Sequence, residues 1–367
     1  MSSDITKDTW DAYCAKELRV LGPILQKLGY VLDTEQPHIT GERYLMEAAT
    51  NGRKLILLGR RMKDGIRVVI KTTPDPEGMR GLEHERDCRR ILQKINFAYQ
   101  IFLSPEELLF VKKGKRLIAI QRFIEQESTF IARPLKEQFA LSLKAFKAQE
   151  AAHATTYGHK RLISRTFGFM DGRDYLDNFD KFVKNIEREL PEESQLQRLL
   201  KKAKSFLLDN RETIEKYNGF LTHTDFVPHN FRVKGHDIYL LDHSSLRFGN
   251  KYEGWARFVN WMALYNPPLA EALIAYVGLN RTPEESLSLK LMRIYRLGEI
   301  IWYYTSTLKK CSGNLHLLNQ ERVRLWTNVL EAVLNNTEVS MEILDDYRQK
   351  RDVLRGEDEK IRQKDLH

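Results

Sequence analysis

An Asp and an Asn five positions apart, followed by a second Asp that closes an apolar strand, constrain this chain more than any other feature of it. The segment reads His223-Thr224-Asp225-Phe226-Val227-Pro228-His229-Asn230, and Ile238-Tyr239-Leu240-Leu241-Asp242 follows. Taken singly, Asp and Asn are ordinary turn formers between strands. Joined to a strand-borne Lys far upstream, they form a set that phosphoryl transfer needs. One carboxylate orients a hydroxyl and relieves it of its proton, while an amide oxygen and a second carboxylate offer hard ligands to the magnesium ions that bridge ATP phosphates.

The upstream Lys ends Arg67-Val68-Val69-Ile70-Lys71, a β-branched run that reads as a strand. A loop with Pro74, Pro76 and Gly78 leads into a helix whose inward stripe is Cys88, Ile91, Leu92 and Ile95. Glu85 lies beside that stripe and is the expected ion-pair partner of Lys71. Its competitor, Glu83, is better placed for solvent near the helix N-terminus.

These residues resemble the aminoglycoside phosphotransferase and choline kinase-like family of the protein kinase-like superfamily. The family's catalytic segment, His-Gly-Asp-x-x-Pro-x-Asn, is matched by His223, Asp225, Pro228 and Asn230, and its metal-binding Asp by Leu240-Leu241-Asp242. The resemblance implies an α+β, two-lobed protein kinase-like fold, with a small antiparallel-sheet N-lobe and a mainly helical C-lobe. It implies Asp225 as catalytic base, Asn230 and Asp242 as magnesium ligands, Lys71 as phosphate anchor paired with Glu85, and His223 as a structural tie. A hinge near Gln121 and Phe123 would meet adenine, and a hairpin turning at Asn51-Gly52 would cover the nucleotide. ATP and Mg2+ are the implied cofactors. The chain departs from the pattern at Thr224, which replaces a Gly, and at His243-Ser244-Ser245 after the metal Asp. It departs again at Gly254-Trp255-Ala256, where a buttressing Asp is expected and Glu253 stands one position early.

The domain reading is a helical amphipathic extension over 1–40, an N-lobe over 41–125, a C-lobe over 126–340 and a charged tail, exposed or frayed, over 341–367. Within it, helices are expected at 10–28 (interrupted or kinked at Pro23), 138–154, 175–190, 195–217, 287–309 and 319–334. Strands are expected at 107–111 and 116–123, around the turn Lys113-Gly114-Lys115. In the resembling family, helices near Glu299-Ile300-Ile301-Trp302-Tyr303-Tyr304 wall the acceptor pocket, so Glu299, Trp302 and Tyr303 are candidate acceptor contacts. The competing reading is that these aromatics pack the core, as Trp10, Trp255 and Trp261 are expected to do.

A net charge of +9 invites a nucleic-acid partner. The clusters Arg60-Arg61-Met62-Lys63 and Lys112-Lys113-Gly114-Lys115-Arg116 fall in expected hairpin turns, however, and no recognition-helix, aromatic-platform or zinc-finger pattern accompanies them. The same charge argues mildly against a polycationic acceptor. Three dispersed cysteines, a polar N-terminus and no long apolar stretch lead to an expectation of a reducing compartment, the cytoplasm, and no membrane span. The expected function is ATP-dependent transfer of the γ-phosphate to a hydroxyl of a sugar, aminoglycoside, amino alcohol or similar small molecule. Alternatives are a non-catalytic nucleotide-binding scaffold, a protein kinase, and a metal hydrolase built on His223, Asp225, His229, Asp242 and His243. The lack of an Ala-Pro-Glu-like element and the short Asp242-to-Trp255 gap weigh against the protein kinase. The hydrolase leaves Lys71, Glu85 and Asn230 unexplained.

Overall fold

The computed structural model describes residues 9–47, 52–94, 103–151, 153 and 165–366 of the 367. A five-stranded antiparallel sheet in the order β1-β2-β3-β5-β4 is formed by Tyr30–Leu32 (β1), Leu55–Arg61 (β2), Arg67–Thr73 (β3), Glu107–Lys113 (β4) and Arg116–Arg122 (β5). Alternation along β3 buries Val68 and Ile70 on one face. There they join Leu55, Leu57, Ile118 and Ile120 in a core shared with helix α1 (Trp10–Lys27). Lys71 is thereby carried to the opposite face, where helix α2 (Pro76–Lys94) supplies Glu85.

Helix α1 starts at Thr9, whose hydroxyl accepts the Ala12 amide. It buries Trp10, Tyr13, Cys14, Glu17, Leu21 and Leu25 at helical spacing and runs on through Pro23. Its Glu17 forms a buried ion pair with Arg116 of β5. The segment before residue 41, read from sequence as an extension, thus supplies an edge strand and half of the sheet's core. Arg116 is correspondingly no solvated turn residue.

The hairpin expected at Asn51-Gly52 is a correction. Asn51 lies outside the described residues, but the chain ahead of it makes a short 3-10 turn (Glu42–Tyr44), where such a hairpin needs a strand. Gly52, at φ +79°, gives its amide to the Asp75 carboxylate at 3.0 Å. Asp75 also accepts the Glu77 and Gly78 amides, so the glycine turn docks the chain on the start of α2. The hairpin lying on the Lys71 strand is β2–β3, which turns through Gly65 at φ +69°.

The larger part is helical: α3 (Leu135–Ala151), α4 (Gly172–Glu189), α5 (Ser194–Asp209), α6 (Arg211–Lys216), then α7 (Glu253–Tyr265), α8 (Pro267–Asn280), α9 (Pro283–Thr307) and α10 (Gly313–Asn335). Two ribbons interrupt it, β6 (Phe220–His223) with β9 (Leu246–Gly249), and β7 (Phe231–Lys234) with β8 (Asp237–Leu240). The helix expected over 195–217 is two, because Asn210 turns back and caps the first with its side chain on the Phe206 carbonyl. Trp10, Trp255 and Trp261 are core residues, as expected. No helix among the described residues is long and apolar enough to cross a membrane.

The C-terminal segment is a second correction. It forms α11 (Met341–Leu354) and α12 (Glu357–Leu366), with Leu344 and Tyr347 in the core and Glu359 buried against Arg322. Leu344 and Tyr347 turn inward while Met341, Val353 and Ile361 stay exposed, and a buried ion pair adds to the docking. Charge alternation alone hid that from the sequence reading.

Candidate active site

Between β6 and β7 the chain makes the 3-10 turn Pro228–Asn230, closed by the Asn230 amide on the Val227 carbonyl at 2.9 Å. The turn folds Asn230 back on Asp225. Its Nδ2 donates to the Asp225 backbone carbonyl (2.8 Å) and to Oδ2 (2.7 Å), which leaves the amide oxygen as an acceptor. Oδ1 of Asp225 accepts Nε of Arg257 from α7 at 2.8 Å. Burial alone would raise the Asp225 pKa. Arg257 foremost, with His229 and Arg296, outweighs that and holds the carboxyl well below the usual range. The side chain remains 36% exposed, so it is ionised and reachable at neutral pH.

Lys71 Nζ donates to Glu85 Oε1 at 2.5 Å and to the Leu241 carbonyl at 2.8 Å. One lysine therefore ties β3 and α2 to the strand end that carries Asp242, and Glu85 rather than Glu83 is its partner. Asp242 Oδ1 accepts the Ser244 amide (2.9 Å) and hydroxyl (2.6 Å), and Oδ2 accepts the Ser245 hydroxyl (2.7 Å). Burial raises its pKa, but His223, Lys71 and the two serines bring it down to about 2. The atypical Ser244-Ser245 pair therefore supports an anionic Asp242.

His223 is buried and shares a 2.7 Å hydrogen bond between Nε2 and the Asp242 carbonyl, which places it as the tie between loop and strand. Desolvation lowers its pKa, so it is neutral and Nε2 donates. The donor set suits Mg2+: Asn230 retains its amide oxygen, and Oδ2 of Asp242 accepts only one hydrogen bond and keeps acceptor capacity. Among the described residues no group of three or more His, Cys, Asp or Glu is placed to hold a metal ion.

The loop's support comes from residues the sequence reading did not single out. Gln149 of α3 accepts the His223 amide at 3.0 Å, and the Gly254 amide donates to Thr222 Oγ1 at 2.8 Å. A Cβ at 254 would stand 2.8 Å from Gln149 Oε1, so glycine is required there. Glu253 is fully buried among Tyr175, Arg247 and Arg296. The acidic residue noted as one position early is thus an anchor for α7, which delivers Arg257 to Asp225.

Asp225, Glu299, Trp302 and Tyr303 line one cavity of about 560 Å³, together with His229 and Arg257. Trp302 also stacks on Phe182, with centroids 5.2 Å apart, so it serves packing and wall alike. Glu299 pairs with Arg296. Lys71 and Asp242 do not line this cavity, although Ile56, the β2 residue paired opposite Lys71, does. Elsewhere, Gln121 is buried in β5 opposite Val69, and the Phe123 amide is taken by the Arg67 carbonyl at 3.0 Å. The Phe123 ring packs against two guanidiniums, Arg67 and Arg232.

No family model matches the sequence, and no curated protein matches it. Solved structures do match its shape. A thermostable mutant of aminoglycoside phosphotransferase APH(4)-Ia, in ternary complex with ADP and hygromycin B, aligns over 85% of this chain and 96% of its own, with a TM-score of 0.58 and 14% identity. A type I macrolide 2'-phosphotransferase covers 84% and 97% (TM-score 0.57, 13% identity). The macrolide 2'-phosphotransferase MphH from Brachybacterium faecium covers 88% and 99% (TM-score 0.52, 12% identity). At these identities the likeness establishes the fold: a small antiparallel sheet and a helical lobe, as in kinase-like phosphotransferases.

Proposed function

We propose that this chain is an ATP-dependent phosphotransferase acting on the hydroxyl of a small molecule. The observation that carries the reading is the run of hydrogen bonds that links Glu85 to Lys71, Lys71 to Leu241 beside Asp242, Leu241 to Asn230, and Asn230 to Asp225. The nucleotide sits between the lobes that meet near residues 125 and 126, with Lys71 on its phosphates. Asn230 and Asp242 hold Mg2+, which when bound neutralises charge on the phosphates. Asp225 aligns the acceptor hydroxyl and takes its proton as the oxygen bonds to the γ-phosphorus and ADP leaves. Most of the rate then comes from positioning and from charge placed in advance.

A second reading, a nucleotide-binding scaffold, draws on the fact that Asp225 is engaged by Arg257. ADP release by the purified chain, supplied with magnesium–ATP and a panel of hydroxylated metabolites, separates the two. Acceptor-dependent release supports the enzyme. Magnesium–ATP binding with no release for any acceptor supports the scaffold, and tight zinc binding without a response to magnesium–ATP defeats both.

A further inference from the structure

The cavity beside Asp225 is walled by five arginines and one lysine against four carboxylates. Three of the arginines are neutralised by neighbours. Arg296 lies between Glu253 and Glu299, and Arg322 and Arg355 share Glu359. Arg257 and Arg362 are different. Arg257 engages Asp225 through Nε alone, and its two terminal amino groups have no hydrogen-bond partner among the described residues. Arg362, on α12, has no ion pair among the described residues, and its Nε is buried without a partner. It lies 5.5 Å from the Tyr44 ring centroid, and burial lowers its pKa. Lys54 adds a third cation, and Glu42 balances one of these charges at most.

A half-buried guanidinium without a carboxylate is costly. Its planar fork of donors is matched by an oxyanion, which it can bind bidentately. We infer that the acceptor carries an oxyanionic group, carboxylate or phosphate, besides the hydroxyl that receives the phosphoryl group, and that Arg257 and Arg362 hold it. This rests on the reading of Asp225 as the base. It also gives the Arg257–Asp225 pair a purpose. The acceptor's oxyanion shares the Arg257 charge, loosens its hold on Oδ1 and leaves that oxygen to the hydroxyl. The aromatic wall of Trp302, Tyr303 and Tyr304 covers the carbon skeleton. A polycationic acceptor would meet its own charge here.

The test uses the full chain with magnesium–ATP and five acceptors: gluconate, glycerol 3-phosphate, glucose, glycerol and kanamycin. The expected result is a kcat/KM at least about tenfold higher for gluconate or glycerol 3-phosphate than for the neutral pair or kanamycin, the better of the two identifying carboxylate or phosphate. Arg362→Gln should raise the KM of that acceptor roughly ten- to hundredfold and leave the KM for ATP unchanged. Arg362→Lys, which keeps the charge and guards against a folding defect, should recover part of the loss. Preference for glucose, glycerol or kanamycin, or an unchanged KM in Arg362→Gln, overturns the inference while the kinase reading stands. Should no acceptor be phosphorylated, calorimetric titration with gluconate, glycerol 3-phosphate and inorganic phosphate decides. Binding that Arg362→Gln abolishes sustains the oxyanion site though the kinase reading falls, and no binding overturns it.

Discussion

Around Lys71 and Asp242, the polar groups satisfy one another: Lys71 with Glu85 and the Leu241 carbonyl, Asp242 with serines two and three positions on. In the cavity beside Asp225, by contrast, donors are left over. Arg257 reaches Asp225 from 32 positions away, and Arg362 arrives from the last helix. On the proposed function, the first arrangement would be pre-organised for the nucleotide, a ligand whose shape never varies. The second is a charged cavity, and on the proposed function it is where specificity would change without disturbing phosphate handling.

The sharpest way to break this division is Asp225→Asn. It should lower kcat by about 10²–10⁴, the usual contribution of a positioned base, with magnesium–ATP affinity by calorimetry intact. A matching loss of ATP affinity would show that the two sides are one unit. Next comes Glu85→Ala. Lys71, only 12% exposed, would lose its counter-ion, at a cost of roughly 3 kcal/mol in urea unfolding. The KM for ATP should rise while that for the acceptor stays put.

Acidity offers a subtler probe. Burial holds His229 at about 4 and His243 at about 3, against an ordinary value of 6.5. The unfolded chain therefore binds protons that the folded one refuses, and stability falls as pH drops from 6.5 toward those values. Asp242 works in a lower window: its contribution is complete above 3.8 and lost as pH falls through about 2. Melting temperature measured from pH 8 to 5 should decline on acidification, and His229→Gln, on the acceptor side, should flatten the slope without altering the response to magnesium–ATP. The smallest effect belongs to Glu299→Gln. Its pair with Arg296 is partly exposed and Glu253 remains to hold the arginine, so acceptor KM should rise only about two- to fivefold.

The same contrast explains what could be read from the sequence. Lys71, Glu85, Asp225, Asn230 and Asp242 stand in short motifs whose chemistry demands those residue types at those spacings, and the fold that unites them followed. Arg257, Gln149 and Arg362 belong to no motif. Each is an ordinary polar residue on a helix, and only the packing of that helix decides whether it meets solvent or Asp225. Glu253 was visible as an oddity, one position from where a buttress was expected, but its role needed Arg247, Arg296 and Tyr175 around it. Asn-Gly misled because a positive φ serves docking as readily as it serves a hairpin. The C-terminal helices misled because their burial depends on ion pairs more than on apolar periodicity.

The second hydrogen bond of Lys71, to Leu241, spans 170 positions. Contacts of such separation close late in folding, after each lobe has gained its local structure. A chain leaving the ribosome can complete its sheet and form the Lys71–Glu85 pair well before residue 241 exists. At that stage it holds a lysine poised for phosphates, with no carboxylate for the metal and none for the acceptor. The spacing therefore acts as a timing device. On the proposed function, nascent and half-folded chains would bring only a phosphate-binding surface, and ATP would be consumed only once both lobes are in place.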